Sequence, residues 1–188
     1  TAAACAIVAR MRHRGLNVHA FKSTGVSLRR DILAMEDAGA RRSQIFTDFG
    51  IVTTTAASGP ALARTMLTEM TQGQPDVVVF ELGDGILGAY GVEAILASPD
   101  IAKSLSAVIL SANDPVAAWG GVKLLRERFK IEPCAVTGPA TDNAVGVNII
   151  RDQMGVAAFN AITAGAALGD HIIGSLGLDA QLPRAVSE

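Results

Sequence analysis

Acidic side chains close one apolar run in the middle of the chain. Glu81 follows the sequence Val-Val-Val-Phe directly, and Asp84 comes three residues later inside a glycine-rich turn. A carboxylate at the end of a buried strand can hold Mg²⁺ beside nucleotide phosphates, directly or through water. Glycines around Asp84 let the backbone approach a ligand closely. We predict a functional role for both acids, and the alternative is that they only cap the next element.

Two further charged residues lie nearer the start of the chain. Lys22 ends the run Leu-Asn-Val-His-Ala-Phe-Lys, and Asp31 lies near the start of the following predicted helix. A lysine at a strand end can offer a point charge to a phosphate or a carboxylate. Taken alone, Lys22 is equally typical of an exposed strand end. Asp31, taken alone, is typical of a solvated acid favoured by the helix dipole.

The elements that must position these residues alternate between apolar runs and helical patterns. The predicted strands cover residues 16–22, 76–85, 107–112, 133–138 and 156–162, and the predicted helices cover 2–14, 28–40, a segment from Pro60, 92–98, 116–129, 144–154 and much of the last thirty residues. This alternation predicts an α/β fold with a mostly parallel sheet and right-handed crossovers. Because no repeat or linker interrupts it, we expect one domain over residues 1–188.

Ligands of such sheets bind at the carboxyl ends of the strands. That rule selects four loops as candidate site loops: Lys22–Gly25, Glu81–Gly85, Asn113–Pro115 and Thr137–Asn143. The last two also carry ordinary turn chemistry.

Composition excludes some classes of partner. The net charge of −2 provides no basic field for nucleic acid. No apolar stretch reaches the roughly 20 residues of a membrane span, and the first residues do not follow the pattern of a secretory signal. We expect a cytoplasmic protein in which Cys5 and Cys134 are buried, reduced thiols. We also expect Trp119 in the core, and His19 on a strand face or the surface.

The first ninety residues resemble a known family. The stretch Thr-Ala-Ala-Ala-Cys-Ala-Ile-Val-Ala-Arg-Met-Arg-His-Arg-Gly, with the strand to Lys22, resembles the segment after the Gly-Lys of a Walker A loop in the dethiobiotin synthetase-like group of P-loop proteins. That group includes cobyrinic acid amide synthases and molybdopterin-guanine-dinucleotide accessory proteins. Thr1, Lys22, Asp31 and Glu81 match its hydroxyl, strand-end lysine, helix aspartate and strand-end glutamate in order and spacing.

The resemblance implies a three-layer P-loop NTPase-like domain whose first strand and phosphate loop are missing from this sequence. It also implies that Thr1, Asp31 and Glu81 surround Mg²⁺, and that Lys22 meets the substrate or the transferred phosphate. Asp84 departs from the family pattern, which has a small residue there, and we expect it to be catalytic together with Lys22. The cofactor would be ATP or GTP. The loops carrying Asn113, Thr137 and Asn143 would then lie near the nucleotide base or a partner subunit.

The activity implied is phosphorylation or ligation of a small carboxylate. The loops after residues 112 and 138 do not match the substrate loops of dethiobiotin synthetase, so we expect a different substrate. The main alternative is an NTP-driven accessory module that acts on a protein partner. A homodimer packed through the Ala/Gly-rich segments 116–121 and 161–169 is a further expectation.

Two other classes are considered. An N-terminal nucleophile hydrolase would use the hydroxyl of Thr1, activated by its own amine, but it requires paired antiparallel sheets. In a purely structural protein, the strand-end acids would all be caps.

Overall fold

The computed structural model describes residues 1–181 of the 188-residue chain. Its helices and strands alternate as the sequence predicts. In chain order they are α1 (Ala2–His13), β1 (Val18–Thr24), α2 (Arg29–Asp37), β2 (Arg42–Ile45), α3 (Gly59–Thr71), β3 (Val77–Leu82), α4 (Val92–Leu96), α5 (Pro99–Ser104), β4 (Ile109–Ser111), α6 (Pro115–Leu124), β5 (Ala135–Thr137), α7 (Ala144–Ile149), β6 (Ala157–Ala158) and α8 (Gly165–Ser175).

The strands form two parallel sheets of three strands each. The first sheet has the order β2-β1-β3 and the second the order β4-β5-β6. All pairings are parallel, as predicted, but β3 and β4 do not pair, so the single predicted sheet is divided in two. In the first sheet Lys22 of β1 pairs in register with Glu81 of β3, which places both residues at the carboxyl end of the sheet.

Strand β1 is the centre of the first sheet and is buried over its whole length. Burial of consecutive residues means that helices cover both faces of the sheet. Phe21 stacks on Phe80 of β3 with ring centroids 4.4 Å apart. Strand β3 has an equally apolar sequence, yet every residue in it is only half-buried. Its second edge has no strand partner within the described residues.

Helix α1 covers one face through the predicted stripe Ala4, Ile7, Val8 and Met11, all buried. The predicted end of this helix is confirmed, because Gly15 follows it in the left-handed conformation (φ 86°). On its other side, α1 packs along α8. The small residues of α8 make this close approach possible, since Gly169 lies directly against Arg10. The segment proposed for a homodimer is thus used, in part, within the chain.

Several local predictions were wrong. Strand β2 and helix α5 were not predicted. Trp119 is 52% exposed instead of buried. It lies on the solvent side of α6, where the Lys123 ammonium is 5.1 Å from its ring centre. His19 lies on strand β1, so the strand-face placement is the correct one of the two predicted for it, and it is buried there with Nδ1 2.7 Å from the Met70 carbonyl oxygen.

The two cysteines are free but only half-buried, so the prediction of buried thiols was wrong. Burial nevertheless raises the pKa of the Cys5 thiol, which keeps this group in its neutral form. Among the described helices, none is long and apolar enough to cross a membrane.

The contact between α1 and α8 yields a matched pair of glycine substitutions. A Cβ at Gly169 would lie 2.4 Å from the Arg10 Cβ, whereas a Cβ at Gly120, in the exposed part of α6, would meet nothing within 4 Å. We expect Gly169→Ala to lower the free energy of unfolding by about 1–3 kcal/mol through overpacking. Gly120→Ala should raise it by up to about 1 kcal/mol through helix propensity. Urea unfolding of both variants checks this, and a stabilised Gly169→Ala protein would contradict the close packing.

Candidate functional site

Five of the predicted residues gather at one end of the first sheet. Thr1 precedes the first turn of α1, Lys22 lies near the end of β1, Asp31 lies in the first turn of α2, and Glu81 and Asp84 lie at the end of β3. We call these residues the strand-end cluster. The parallel register of β1 and β3 aligns Lys22 with Glu81. Helices α1 and α2 both begin at this end of the sheet, which adds Thr1 and Asp31.

Lys22 and Asp31 form a buried ion pair. The Lys22 ammonium donates a hydrogen bond of 2.6 Å to Asp31 Oδ2, and only 8% and 12% of the two side chains are exposed. Burial opposes ionisation of Asp31, but the hydrogen bond and charge of Lys22, with a smaller contribution from Thr1, outweigh it. The pKa of Asp31 is therefore lowered. The Asp31 carboxylate stays ionised at neutral pH and keeps the ammonium in a defined position.

Glu81 has one satisfied oxygen and one that lacks a partner. Its Oε1 accepts a hydrogen bond of 3.0 Å from the Thr1 hydroxyl and lies 3.1 Å from the Thr1 amino nitrogen. Its Oε2 is buried and has no hydrogen-bond partner within the described residues. A buried acceptor left without a partner costs about 1–3 kcal/mol. This oxygen is therefore available to a cation or a donor from a ligand.

Asp84 joins two loops. It has a positive φ of 65°, and its Oδ2 accepts a hydrogen bond of 2.6 Å from the Val26 N–H. Gly25 is required at this crossing, since a Cβ there would lie 2.5 Å from Asp84 Oδ2. Asp84 therefore fixes the turn after β3 against the turn after β1. Its predicted catalytic role remains a prediction, and this contact gives it a positioning role.

The three residues predicted near the nucleotide lie on the second sheet, with contacts of their own. Thr137 is buried, and its hydroxyl oxygen accepts a hydrogen bond of 3.1 Å from the Ala161 N–H. Asn143 caps α7 by accepting a bond of 3.0 Å from the Gly146 N–H. Asn113 is exposed after β4. Within the described part of the chain, no hydrogen bond links these three side chains to the strand-end cluster.

Sequence inspection missed hydroxyl groups beside Lys22. Residues 23 and 24 were assigned to a polar turn, but both are fully buried within β1. The Thr24 hydroxyl donates a bond of 3.1 Å to the Gly83 carbonyl oxygen, whereas the buried Ser23 hydroxyl has no hydrogen-bond partner among residues 1–181. These hydroxyl groups could have been predicted from the Lys-Ser-Thr sequence, which directly follows an apolar run at the end of a strand.

A large cleft opens from the cluster between β3 and β4. Its volume is about 990 Å³, and we call it the interstrand cleft. Thr1, Lys22, Glu81 and Ser111 line one end of it, where β3 and β4 terminate. The residues before β3 and β4 line the opposite end, and most of the wall between the two ends is apolar.

The described residues contain no group of three or more His, Cys, Asp or Glu side chains that could hold a metal ion unaided. A metal at the cluster would need further ligands from a hydroxyl, from water or from a bound phosphate.

Comparisons of the chain with protein-family models, with curated proteins and with solved structures gave no match.

The buried ion pair yields a prediction with a defined pH dependence. Asp31→Asn leaves the Lys22 ammonium without its partner, and we expect it to lower the free energy of unfolding at pH 7 by about 3 kcal/mol. The pKa of Asp31 is lowered in the folded state. Its stabilisation is therefore complete above about pH 4 and is lost as the pH falls through the lowered pKa. The difference between variant and native protein should shrink over that range.

Urea unfolding at a series of pH values measures this difference. Asp37→Asn is the matched control, because Asp37 is exposed in the same helix. The control should stay within about 0.5 kcal/mol of the native protein at each pH. An Asp31→Asn deficit that is unchanged at the lowest pH would contradict the ion pair as its cause.

Proposed function

We propose that the strand-end cluster binds a Mg²⁺-nucleoside triphosphate, with ATP as the first candidate and GTP as the second, and that the protein phosphorylates or ligates a small carboxylate substrate. The observation that carries this proposal is the buried, unpartnered Oε2 of Glu81 beside the Thr1 hydroxyl. An unpartnered acceptor in that position fits cation binding better than helix or loop capping. A carboxylate that served only as a cap would accept a hydrogen bond from the chain through this oxygen.

The donor set fits Mg²⁺. Thr1 offers a hydroxyl oxygen, Asp31 and Glu81 offer carboxylate oxygens, and this ion prefers oxygen ligands from one or two carboxylates together with phosphates and water. When bound, Mg²⁺ would supply charge neutralisation at the phosphates.

Lys22 would contribute a positioned cation. Its ion pair with Asp31 holds the ammonium in one place at low conformational cost. A lysine ammonium has three donors, so it can keep Asp31 and still donate to a phosphate or carboxylate oxygen. Phosphoryl transfer depends mainly on positioning and on electrostatic stabilisation, and this arrangement supports both.

Helix α1 adds a favourable partial charge. Its first turn follows Thr1 at the cluster, and the N–H groups of that turn have no carbonyl partner within the helix. Such groups favour anions. The residues in this turn are Ala2, Ala3 and Ala4, whose small side chains let a phosphate approach the backbone. In the family that the sequence resembles, this helix follows the phosphate loop.

The turns around the cluster favour a small substrate over a macromolecule. Asp84 closes the loop after β3 onto the loop after β1, and the charge of the chain gives no basic surface for nucleic acid. A small carboxylate near Lys22 would have a cation to pair with. Transfer of the terminal phosphoryl group of the nucleotide to this carboxylate would release the nucleoside diphosphate and give an acyl phosphate. Attack by an amine on the acyl carbon would then form an amide and release inorganic phosphate.

One observation favours the accessory-module alternative. Val116, Trp119 and Val145 are 78%, 52% and 68% exposed on α6 and α7, beyond the ends of the second sheet. A contiguous patch of exposed apolar side chains is typical of a protein-binding surface, whereas single exposed apolar residues are ordinary. Nucleotide turnover that depends on a protein partner, and not on a small acid, would support this alternative.

The test of the proposal is a calorimetric titration of ATP and GTP with and without Mg²⁺ on the natural polypeptide, including whatever residues precede Thr1. We expect Glu81→Gln to weaken the Mg²⁺-dependent binding at least tenfold, which is about 1.4 kcal/mol, because the amide loses the charge that meets the cation. The control is Glu127→Gln, since the Glu127 side chain is exposed just beyond the end of α6, where it forms an ion pair with Lys123. This control should bind as the native protein does.

Binding of neither nucleotide by the native protein would overturn the proposal, as would equal Mg²⁺ dependence in Glu81→Gln. If binding is found, release of ADP or phosphate that requires a small carboxylic acid would identify the ligase or kinase activity.

A further inference from the structure

Exposed apolar side chains lie on the two turns that cross at Asp84. Val26 and Leu28 follow β1 and are 52% and 39% exposed, and Leu87 follows β3 and is 74% exposed. We call these three residues the apolar rim. Turns are usually built from glycine and small polar residues. Single exposed apolar side chains are ordinary, but three of them on two turns in contact form a local group that folding alone does not explain.

Asp84 holds the two turns together and keeps the rim in one place. Its Oδ2 accepts a hydrogen bond of 2.6 Å from the Val26 N–H. A Cβ on Gly88 would lie 2.4 Å from the Asp84 carbonyl oxygen, so the chain folds back on itself directly after Asp84. This tight turn keeps Leu87 near the crossing, and the rim therefore has members on both turns.

Leu28 occupies a position that usually carries a polar side chain. It is the N-cap of α2, where Ser, Thr, Asp or Asn would accept a hydrogen bond from the first turn of the helix. A leucine side chain accepts none, so its presence weakens the start of the helix. The Leu28 carbonyl oxygen accepts a bond of 2.9 Å from the Asp31 N–H. This departure from the local rule therefore lies one helical turn from the buried ion pair of Asp31 and Lys22.

The Lys22 side chain lies against the same crossing. A Cβ on Gly83 would lie 3.1 Å from Lys22 Cε and 2.9 Å from the Thr24 carbonyl oxygen. Because Gly83 has no side chain, the backbone of the turn after β3 packs directly on the lysine stem. A buried ammonium thus lies next to a group of exposed apolar side chains.

These charges and apolar surfaces define the ligand. An anionic group can pair with the Lys22 ammonium, which has donors left beyond the one that Asp31 uses. An apolar body attached to it can cover the rim and remove that surface from water. A second anionic group is disfavoured at the crossing, because it would approach the carboxylate of Asp84.

We propose that the substrate of this site is an aliphatic monocarboxylic acid, bound with its carboxylate on Lys22 and its apolar body against the apolar rim. This inference rests on the proposed function, which assigns Lys22 to the substrate. It adds the chemical class of the acid, which excludes dicarboxylic and polyhydroxy acids as preferred substrates, and it makes the rim a determinant of specificity.

An NMR titration with a series of acids tests this class. The natural polypeptide, labelled with ¹³C at its Val and Leu methyl groups, is titrated with acetate, butyrate, hexanoate and succinate, with and without Mg²⁺-ADP. Each methylene that covers the rim should tighten binding by up to about fourfold. Succinate has as many carbons as butyrate but a charge in place of its methyl end, and we expect it to bind at least about tenfold more weakly. The methyl signals of the rim should shift with hexanoate.

Substitutions at nearly constant side-chain size separate the rim from a general effect. In the double variant Val26→Thr and Leu87→Asn, the gain in affinity from acetate to hexanoate should fall at least about threefold, because apolar contact is lost. Ile162→Thr is the matched control, since Ile162 is 82% exposed on the loop after β6 of the second sheet. This control should retain the whole gain. The methyl spectrum also shows whether each variant is folded.

Several results would overturn the inference. Equal binding of the four acids, or binding of none, would do so, as would hexanoate binding that leaves the rim signals unshifted. Rim signals that shift with protein concentration in the absence of acid would also do so, because a second copy would then cover the rim.

Failure of the proposed function has a different signature. A protein that binds neither nucleotide but keeps the preference for longer acids would reject the nucleotide site and retain the acid class. Nucleotide binding together with equal affinity for the four acids would reject this inference alone.

Discussion

The ion pair between Lys22 and Asp31 is the constraint that organises the site. An ammonium at the end of a buried strand is tolerated only beside a counter-charge, and Asp31 supplies it from the first turn of α2. Because the ammonium needs this counter-charge, the first turn of α2 must lie against the end of β1. The parallel register then places Glu81 opposite Lys22, and the hydroxyl of Thr1 completes the arrangement. One electrostatic requirement thus positions residues from four separate elements.

Sequence patterns could predict the parts of the structure that depend on periodicity and on strand ends. The apolar stripe of α1 and the strands that end near Lys22 and Glu81 needed only local information. The strand-end rule then brought these residues to one edge. The role of Asp84 could not be predicted in this way, because its carboxylate binds the backbone of a loop 58 residues away in the chain.

The local errors have physical causes as well. Strand β2 was missed because it contains Arg42, Ser43 and Gln44, and these polar residues leave no apolar run that would predict a strand. Trp119 was placed in the core on its residue type alone, but the register of α6 buries Ala118 and Val122 and turns the ring toward solvent. The division into two sheets could not be predicted either. The sequence of a strand indicates how deeply the strand is buried, but it does not indicate which strand lies beside it.

The packing of α1 along α8 has a consequence for how the protein is made on the ribosome. The two helices are separated by some 150 residues of sequence, yet α8 covers the outer side of α1 through Gly165 and Gly169, and Arg10 pairs with Asp170. During synthesis, α8 cannot cover α1 until the residues between the two helices have been made. The outer surface of α1 therefore stays exposed during that interval, and the contact between the two helices forms only after α8 has been synthesised.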